Sequence, residues 1–187
     1  MPKGRNLCLI GFMATGKTTV GRLLARSLGW RLQDSDREIE SITGLSIPAV
    51  FAYYGESYFR FLETRVLERL VEGEHQVIAT GGGIVLSAVN RALLKRAGPV
   101  VWLKATSETI LLRTQGLHDR PLLETPARKE RVEKLLAERQ ELYRSLSDFE
   151  VDTSRLGPQE VAEKIMAWLE MSDELWEGKV NKLAPDA

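Results

Sequence analysis

Eight residues near the start of the chain have the types and spacing that bind phosphate groups. They are Gly11-Phe12-Met13-Ala14-Thr15-Gly16-Lys17-Thr18 and match G-x-x-x-x-G-K-[ST], the pattern of a P-loop. The backbone N–H groups of such a loop point at anionic oxygens, and a helix beginning near Lys17 adds its positive dipole end. Lys17 supplies a mobile charge for the outer phosphates, and the Thr18 hydroxyl can ligate Mg²⁺. The alternative is a glycine-rich turn without a ligand.

The elements around this loop predict an α/β fold. An apolar run at 6–10 is typical of a buried strand, and apolar residues recur at helical spacing over 17–28. Four more strands are predicted at 30–33, 76–79, 99–103 and 149–152. Helices are predicted at 17–28, 37–42, 47–54, 56–71, 87–96, 107–113, 127–145 and 159–169. This alternation indicates three α/β/α layers around a five-stranded parallel sheet.

Three motifs each follow directly on a predicted strand: the P-loop, Asp34-Ser35-Asp36 and Gly81-Gly82-Gly83. Ligands of open parallel sheets bind beyond the carboxyl ends of the strands, so the motifs are expected to meet at one edge. One aspartate could face Mg²⁺ and the other an acceptor hydroxyl, although either could instead cap the next helix. Three successive glycines lose much backbone entropy, which suits close approach of a ligand. A plain turn is the alternative.

Three arginines are candidates for binding anionic groups. Arg60 lies between two phenylalanines, which argues against a fully solvated position. Arg139 lies in a charged helix, where residue types alone predict a solvated charge paired with a neighbouring Glu. Arg120 precedes Pro121 in segment 114–126, whose weak periodicity and two prolines predict a mobile loop.

Composition limits the function classes. The chain of 187 residues has zero net charge and 43% apolar residues, so we expect one domain at 1–170 and a tail at 171–187. The tail is expected to be a peripheral helix or a frayed end. Nothing in the charge suggests nucleic acid or a membrane as partner, and we expect a cytoplasmic monomer. Cys8 is expected to be a buried hydrophobe, and His75 and His118 to be surface residues.

Taken in order, the motifs resemble the shikimate kinase family over residues 5–169. The resemblance rests on the P-loop, Asp34-Ser35-Asp36, Gly55-Glu56-x-x-Phe59-Arg60-x-x-Glu63, Gly81-Gly82-Gly83, Arg120-Pro121-Leu122, Glu138-Arg139-x-x-Leu142-Tyr143 and Val151-Asp152-Thr153. It implies a P-loop kinase fold in which segment 114–126 is a lid. The implied reaction transfers the γ-phosphoryl group of ATP to the 3-hydroxyl of shikimate, with Mg²⁺, in aromatic amino acid biosynthesis.

The resemblance also implies roles for single residues. Lys17, Asp36 and Arg120 would be catalytic, and Thr18 and Asp34 would hold the metal. Nucleotide contacts would come from Ala14, Thr15, Gly16, Lys17, Thr18, Thr19, Arg113, Arg120 and Arg155. Acceptor contacts would come from Asp36, Arg60, Gly81, Gly82, Gly83 and Arg139.

One residue departs from the family pattern, since Ala14 stands where many members have glycine. A positive φ there would cost about 1 kcal/mol or more. Two other functions stay open: a kinase for another polyol acid such as gluconate, and a nucleotide-dependent switch or regulatory module. Against the switch, Asn181-Lys182 lacks the aspartate of a guanine-reading motif, because position 184 is alanine.

Overall fold

The computed structural model describes residues 6–115 and 127–181. Its strands are β1 (Asn6–Ile10), β2 (Arg31–Asp34), β3 (Gln76–Ala79), β4 (Val100–Lys104) and β5 (Phe149–Asp152). They form one parallel sheet in the order β2-β3-β1-β4-β5. The helices are α1 (Lys17–Leu28), α2 (Ser35–Thr43), α3 (Ile47–Glu72), α4 (Ala88–Ala97), α5 (Ser107–Arg113), α6 (Arg128–Leu146) and α7 (Pro158–Asn181), with a 3-10 turn at Ile84–Leu86. The predicted fold class is confirmed.

Alternating side chains of the central strands enter two separate cores. Cys8 and Ile10 of β1 point toward α3, α4 and α6, whereas Leu7 and Leu9 point toward α1 and α7. All four are buried. Because helices cover both faces of the sheet, the central strands β1, β3 and β4 are buried and mostly apolar, whereas the edge strands β2 and β5 also carry charged residues. This arrangement fixes the carboxyl ends of β1, β2 and β3 side by side.

Helix α3 bends sharply at Gly55, where φ is 79° and ψ is 172°. This region of backbone space is essentially restricted to glycine. The bend separates the two helical segments that the sequence predicts at 47–54 and 56–71. Ile47 and Phe51 before it, and Phe59 and Arg60 after it, all line the same cavity.

The last helix differs from its prediction. It was expected to end at Leu169, but α7 continues to Asn181. The residues that follow Leu169 are mostly good helix formers, and no proline occurs before Pro185. The domain boundary at residue 170 therefore falls inside a continuous helix, and the division of the chain there stays a prediction.

Three smaller predictions concern single residues. Cys8 is fully buried, and burial raises the pKa of its thiol to about 12, so it is a core residue. His75 is exposed, whereas His118 lies outside the described residues.

Among the helices that the structure describes, none combines the length and apolar character needed to cross a bilayer.

Candidate active site

A cavity of about 270 Å³ lies at the carboxyl ends of β1, β2 and β3. The structure brings the three predicted motifs together here. The wall consists of Met13, Ala14, Gly16, Lys17, Thr18, Thr19, Asp34, Asp36, Ile47, Phe51, Phe59, Arg60, Glu63, Thr80, Gly81, Gly82, Gly83 and Arg139. Helix α3 contributes the apolar Ile47, Phe51 and Phe59 as well as the charged Arg60 and Glu63, and this mixed wall suits a small polar molecule.

The P-loop has the geometry of an anion-binding turn. Gly16, with φ of 93°, immediately precedes α1, so the helix begins at Lys17 as the sequence predicts. The Lys17 ammonium group donates to the carbonyl oxygens of Gly11 at 2.8 Å and Phe12 at 2.7 Å, which holds it across its own loop. Ala14 has φ of 60°, so the strain anticipated for alanine at this position is present.

Asp34 caps α2 and is also hydrogen-bonded to the P-loop. Its Oδ1 accepts from the backbone N–H groups of Asp36 at 3.1 Å and Arg37 at 3.3 Å, which caps α2. Its Oδ2 accepts from the Thr18 hydroxyl at 2.7 Å, beside the P-loop. Asp36 does not cap the helix and lines the cavity. The two carboxylates therefore have different surroundings although only one residue separates them.

Two of the three glycines, Gly81 and Gly83, allow charged side chains to approach the backbone. A Cβ at Gly81 would lie 2.7 Å from Asp36 Oδ1 and 2.9 Å from Glu63 Oε1. At Gly83 it would lie 2.5 Å from Arg60 Nη2. Each distance is well below van der Waals contact, so any larger residue would displace a carboxylate or a guanidinium group. The lack of side chains at Gly81 and Gly83 thus leaves room for the charged groups of Asp36, Glu63 and Arg60 beside the turn.

Backbone groups of the same turn are also bound. The Gly81 N–H donates to the Ser35 hydroxyl at 2.9 Å, which ties the turn to the aspartates. The Gly82 carbonyl accepts from Arg139 Nη1 at 3.2 Å and from the Tyr143 hydroxyl. The glycine turn is thus fixed from α2 on one side and from α6 on the other.

Arg60 is held between two carboxylates of its own helix. Its Nη1 donates to Glu63 at 2.9 Å, and its Nη2 donates to Glu56 at 3.0 Å. Glu63 is only 1% exposed. Burial, opposed by Arg60 and supported by the charge of Asp36, raises the pKa of the Glu63 carboxyl from 4.5 to about 7. The Glu63 carboxyl group that binds Arg60 therefore changes its protonation state near neutral pH.

Arg139 is buried, so the prediction of a solvated helix-face charge is wrong. It is 3% exposed, and its guanidinium group lies 5.6 Å from the centre of the Phe12 ring. Among the described residues, no acceptor reaches its Nε–H. The error arises because the side of α6 that carries Arg139 packs on the P-loop and the glycine turn, contacts that a local charge pattern does not reveal.

A second cavity, of about 430 Å³, lies on the other side of the P-loop. Ala14, Arg113, Thr153 and Pro158 contribute to its wall. Arg155, predicted as a nucleotide contact, is exposed and does not line this cavity. Arg120 and residues 116–126 lie outside the described residues. The cavity borders the P-loop at Ala14, Thr15 and Gly16.

Glu63 and Tyr143 lie within the family motifs but were not among the predicted site residues. A signal for Glu63 was present, because it falls on the apolar face of α3 with Phe59, Val66 and Leu70, where a charge is unusual. Tyr143 offered no such signal. Its hydroxyl reaches Gly82, 61 positions away in sequence.

Comparisons with known proteins agree with this geometry. The family model described as shikimate kinase matches residues 13–170. A shikimate kinase of Methylococcus capsulatus is 45% identical over 172 residues, covering 92% of this chain and 96% of the relative. The solved structure of a shikimate kinase from Acinetobacter baumannii in complex with shikimate is 41% identical with a TM-score of 0.88, covering 93% of this chain and 97% of its own. One from Aquifex aeolicus is 39% identical with a TM-score of 0.79, covering 90% and 98%.

These matches span nearly the whole described chain and nearly the whole length of each relative. They confirm the expected class of enzyme, an ATP-dependent small-molecule kinase. The chain belongs to the shikimate kinase family.

Proposed function

We propose that the protein transfers the γ-phosphoryl group of ATP to the 3-hydroxyl of shikimate. The observation that carries the acceptor assignment is the buried guanidinium group of Arg139, whose Nε–H has no described acceptor. A buried cation with an unmet donor is costly, and a carboxylate in the cavity would supply the missing partner. Arg60 lines the same cavity and provides a second guanidinium group.

The size and charge of the cavity also suit this acceptor. Shikimate has one carboxylate and three hydroxyl groups on a small ring, and the wall of the cavity of about 270 Å³ carries both cationic and carboxylate side chains. In this proposal the acceptor carboxylate binds Arg60 and Arg139, and the hydroxyl groups face Asp36 and the glycine turn. The apolar side chains of Phe51 and Phe59 cover the ring.

Nucleotide and metal binding follow from the P-loop. The loop amides and Lys17 bind the phosphates, with the base in the second cavity beside Arg113. The Thr18 hydroxyl and the Asp34 carboxylate, 2.7 Å apart, offer two oxygen donors of the kind that Mg²⁺ prefers. Mg²⁺ held by these two residues would supply positive charge to neutralise the phosphates.

The surroundings of the aspartates favour Asp36 as proton acceptor. Asp34 already accepts from Thr18 and from two backbone N–H groups, so its lone pairs are largely committed. Asp36 lines the cavity wall where the acceptor would lie. In the step, the acceptor oxygen forms a bond to the γ-phosphorus, the bond from that phosphorus to the leaving oxygen of ADP breaks, and Asp36 takes the hydroxyl proton.

A lid over residues 114–126, including Arg120, completes the proposal. Phosphoryl transfer to an alcohol requires that water be excluded, or ATP is hydrolysed instead. We expect limited proteolysis within this segment to slow when ADP and shikimate are both bound. Cleavage at an unchanged rate would remove the lid from the proposal, without affecting the acceptor assignment.

A coupled assay of ADP release tests the reaction. We expect release to depend on shikimate and to be near background with gluconate, the acceptor of the alternative kinase. Arg139→Lys should raise the KM for shikimate strongly and leave that for ATP nearly unchanged, because lysine keeps the charge and loses the planar fork. The exposed Arg144→Lys on the same helix is the matched control. Release that proceeds equally with gluconate would favour the alternative kinase.

Oligomeric state and location belong to the proposal as well. We propose a cytoplasmic monomer without nucleic-acid or membrane partners, in keeping with zero net charge. Light scattering coupled to size-exclusion chromatography should give a mass near 21.0 kDa. A mass twice as large would contradict the monomer.

A further inference from the structure

Thr153, just beyond β5, has a hydroxyl group whose orientation is fixed. It is 3% exposed, and its backbone N–H and hydroxyl both donate to the carbonyl oxygen of Lys104, at 2.8 and 2.9 Å. A hydroxyl group has one proton to donate, so that of Thr153 is committed to Lys104. Its lone pairs therefore face away from Lys104 and can only accept.

The donor that meets these lone pairs is Arg113, the last residue of α5. Arg113 Nη1 donates to the Thr153 hydroxyl at 3.0 Å, and Nη2 donates to the Thr153 carbonyl at 2.6 Å. A guanidinium group is planar, so two bonds from its two terminal nitrogens determine its orientation. Thr153 thus sets the plane in which the Arg113 guanidinium group lies.

The same guanidinium group also reaches the P-loop. Arg113 Nη1 donates to the carbonyl oxygen of Ala14 at 3.1 Å, across 99 positions of sequence. Ala14 is the P-loop residue with a left-handed backbone, at φ of 60°. Because an alanine in this conformation is strained, a charged hydrogen bond to its carbonyl favours the observed peptide orientation. Ala14, Arg113 and Thr153 all line the second cavity.

We propose that Thr153 is a positioning residue for the nucleotide: it holds Arg113 between the end of β5 and the P-loop, and so shapes the wall against which the base binds. This inference rests on the proposed function, because it takes the second cavity as the nucleotide site. Thr153 acts through Arg113, so its loss should affect the nucleotide and spare the acceptor, which binds on the other side of the P-loop.

Calorimetric titration of the full chain with ADP, without acceptor, tests the proposal. Thr153→Val keeps the shape and removes the hydroxyl, and we expect it to weaken ADP binding about tenfold, as for one hydrogen bond to a charged group. Thr153→Ser keeps the hydroxyl and should bind within about twofold of the unaltered protein. Thr43→Val is the matched control, because it removes a half-buried hydroxyl group that donates to the Ile39 carbonyl on α2. Its affinity for ADP should equal that of the unaltered protein.

Two further measurements distinguish a positioning role of Thr153 from a general loss of structure. In steady-state kinetics, Thr153→Val should raise the KM for ATP by a factor similar to its loss of ADP affinity, with the KM for shikimate unchanged. The double variant Thr153→Val with Arg113→Gln should bind ADP no more weakly than Arg113→Gln alone, because both changes remove the same contact. Arg113 is exposed, so its replacement leaves the core intact.

Several results would overturn the proposal. In the titration, these are an unchanged ADP affinity in Thr153→Val, or an ADP affinity of Thr153→Ser as low as that of Thr153→Val. The others are additive losses of ADP affinity in the double variant, or an equal rise in the KM values for ATP and shikimate. If Thr153→Val does not fold, Thr153→Ala takes its place under the same criteria. The titration contains no acceptor, so it tests the role of Thr153 separately from the reaction. If the ADP affinities follow the expected pattern but the protein does not phosphorylate shikimate, the proposed function is refuted and the role of Thr153 is not.

Discussion

Replacing Glu63 with Gln should change how stability depends on pH. The buried carboxyl group has a pKa near 7 in the folded protein, against 4.5 for an unperturbed group, mainly because burial disfavours its charged form. Between these two values the folded state binds a proton that the unfolded state has released. The free energy of unfolding contributed by Glu63 therefore falls as pH rises through this window, and is constant above it.

The magnitude follows from the shift. A difference of roughly 2.5 pKa units, at about 1.4 kcal/mol per unit, gives a change of about 3 kcal/mol. Glutamine does not titrate, and it keeps an oxygen that can accept from Arg60. The free energy of unfolding of the unaltered protein minus that of Glu63→Gln should thus decrease by about 3 kcal/mol between about pH 4 and pH 8.

Urea denaturation at a series of pH values measures this difference, with equal m-values as the check that the two unfolding transitions are comparable. Glu68→Gln is the matched control, because Glu68 lies on the same helix and pairs with Arg65 at the surface. Its difference curve should be nearly flat. A flat curve for Glu63→Gln would refute the titration, and a rising curve would show that Arg60 outweighs burial and lowers the pKa.

Three further substitutions test the site directly. Lys17→Ala should abolish turnover in a protein with an unchanged circular dichroism spectrum, since the ammonium group acts on phosphates and not in the core; near-normal turnover would exclude the P-loop role. Asp36→Asn should lower kcat by about 10²–10⁴-fold while calorimetry still detects ATP binding, because an amide cannot take the proton; full activity would end its assignment as base. Gly83→Ala should raise the KM for shikimate at least about tenfold with the KM for ATP nearly unchanged, because its Cβ would lie 2.5 Å from Arg60 Nη2; equal KM values in both proteins would show that Arg60 adjusts.

The fold could be predicted because its signals are local. The central strands are short apolar runs next to a glycine or polar turn, and the P-loop has a fixed spacing between a strand and a helix. Parallel topology then placed the P-loop, Asp34-Ser35-Asp36 and the three glycines at one edge, where the structure has its cavity. The end of α7 was missed because nothing in the sequence stops a helix at Leu169.

The site was only partly predictable, because several of its contacts are long-range. Arg139 has the neighbours of a solvated helix charge, yet it lies over Phe12, at the other end of the sequence. Only the family resemblance predicted a place for Arg139 in the site, and the structure has it in the wall of the cavity. Arg113 was assigned to the nucleotide in the same way, but its bond to Ala14 depends on how α5 packs and has no sequence signal.

The central claim is transfer of the phosphoryl group to one hydroxyl of shikimate, and nuclear magnetic resonance of the product tests it most directly. With ATP, Mg²⁺ and shikimate present, we expect one phosphomonoester on the 3-oxygen for each ADP formed, identified by its coupling to the proton on that carbon. Formation of ADP and inorganic phosphate with shikimate unchanged, or a phosphate on another hydroxyl group, would contradict the account.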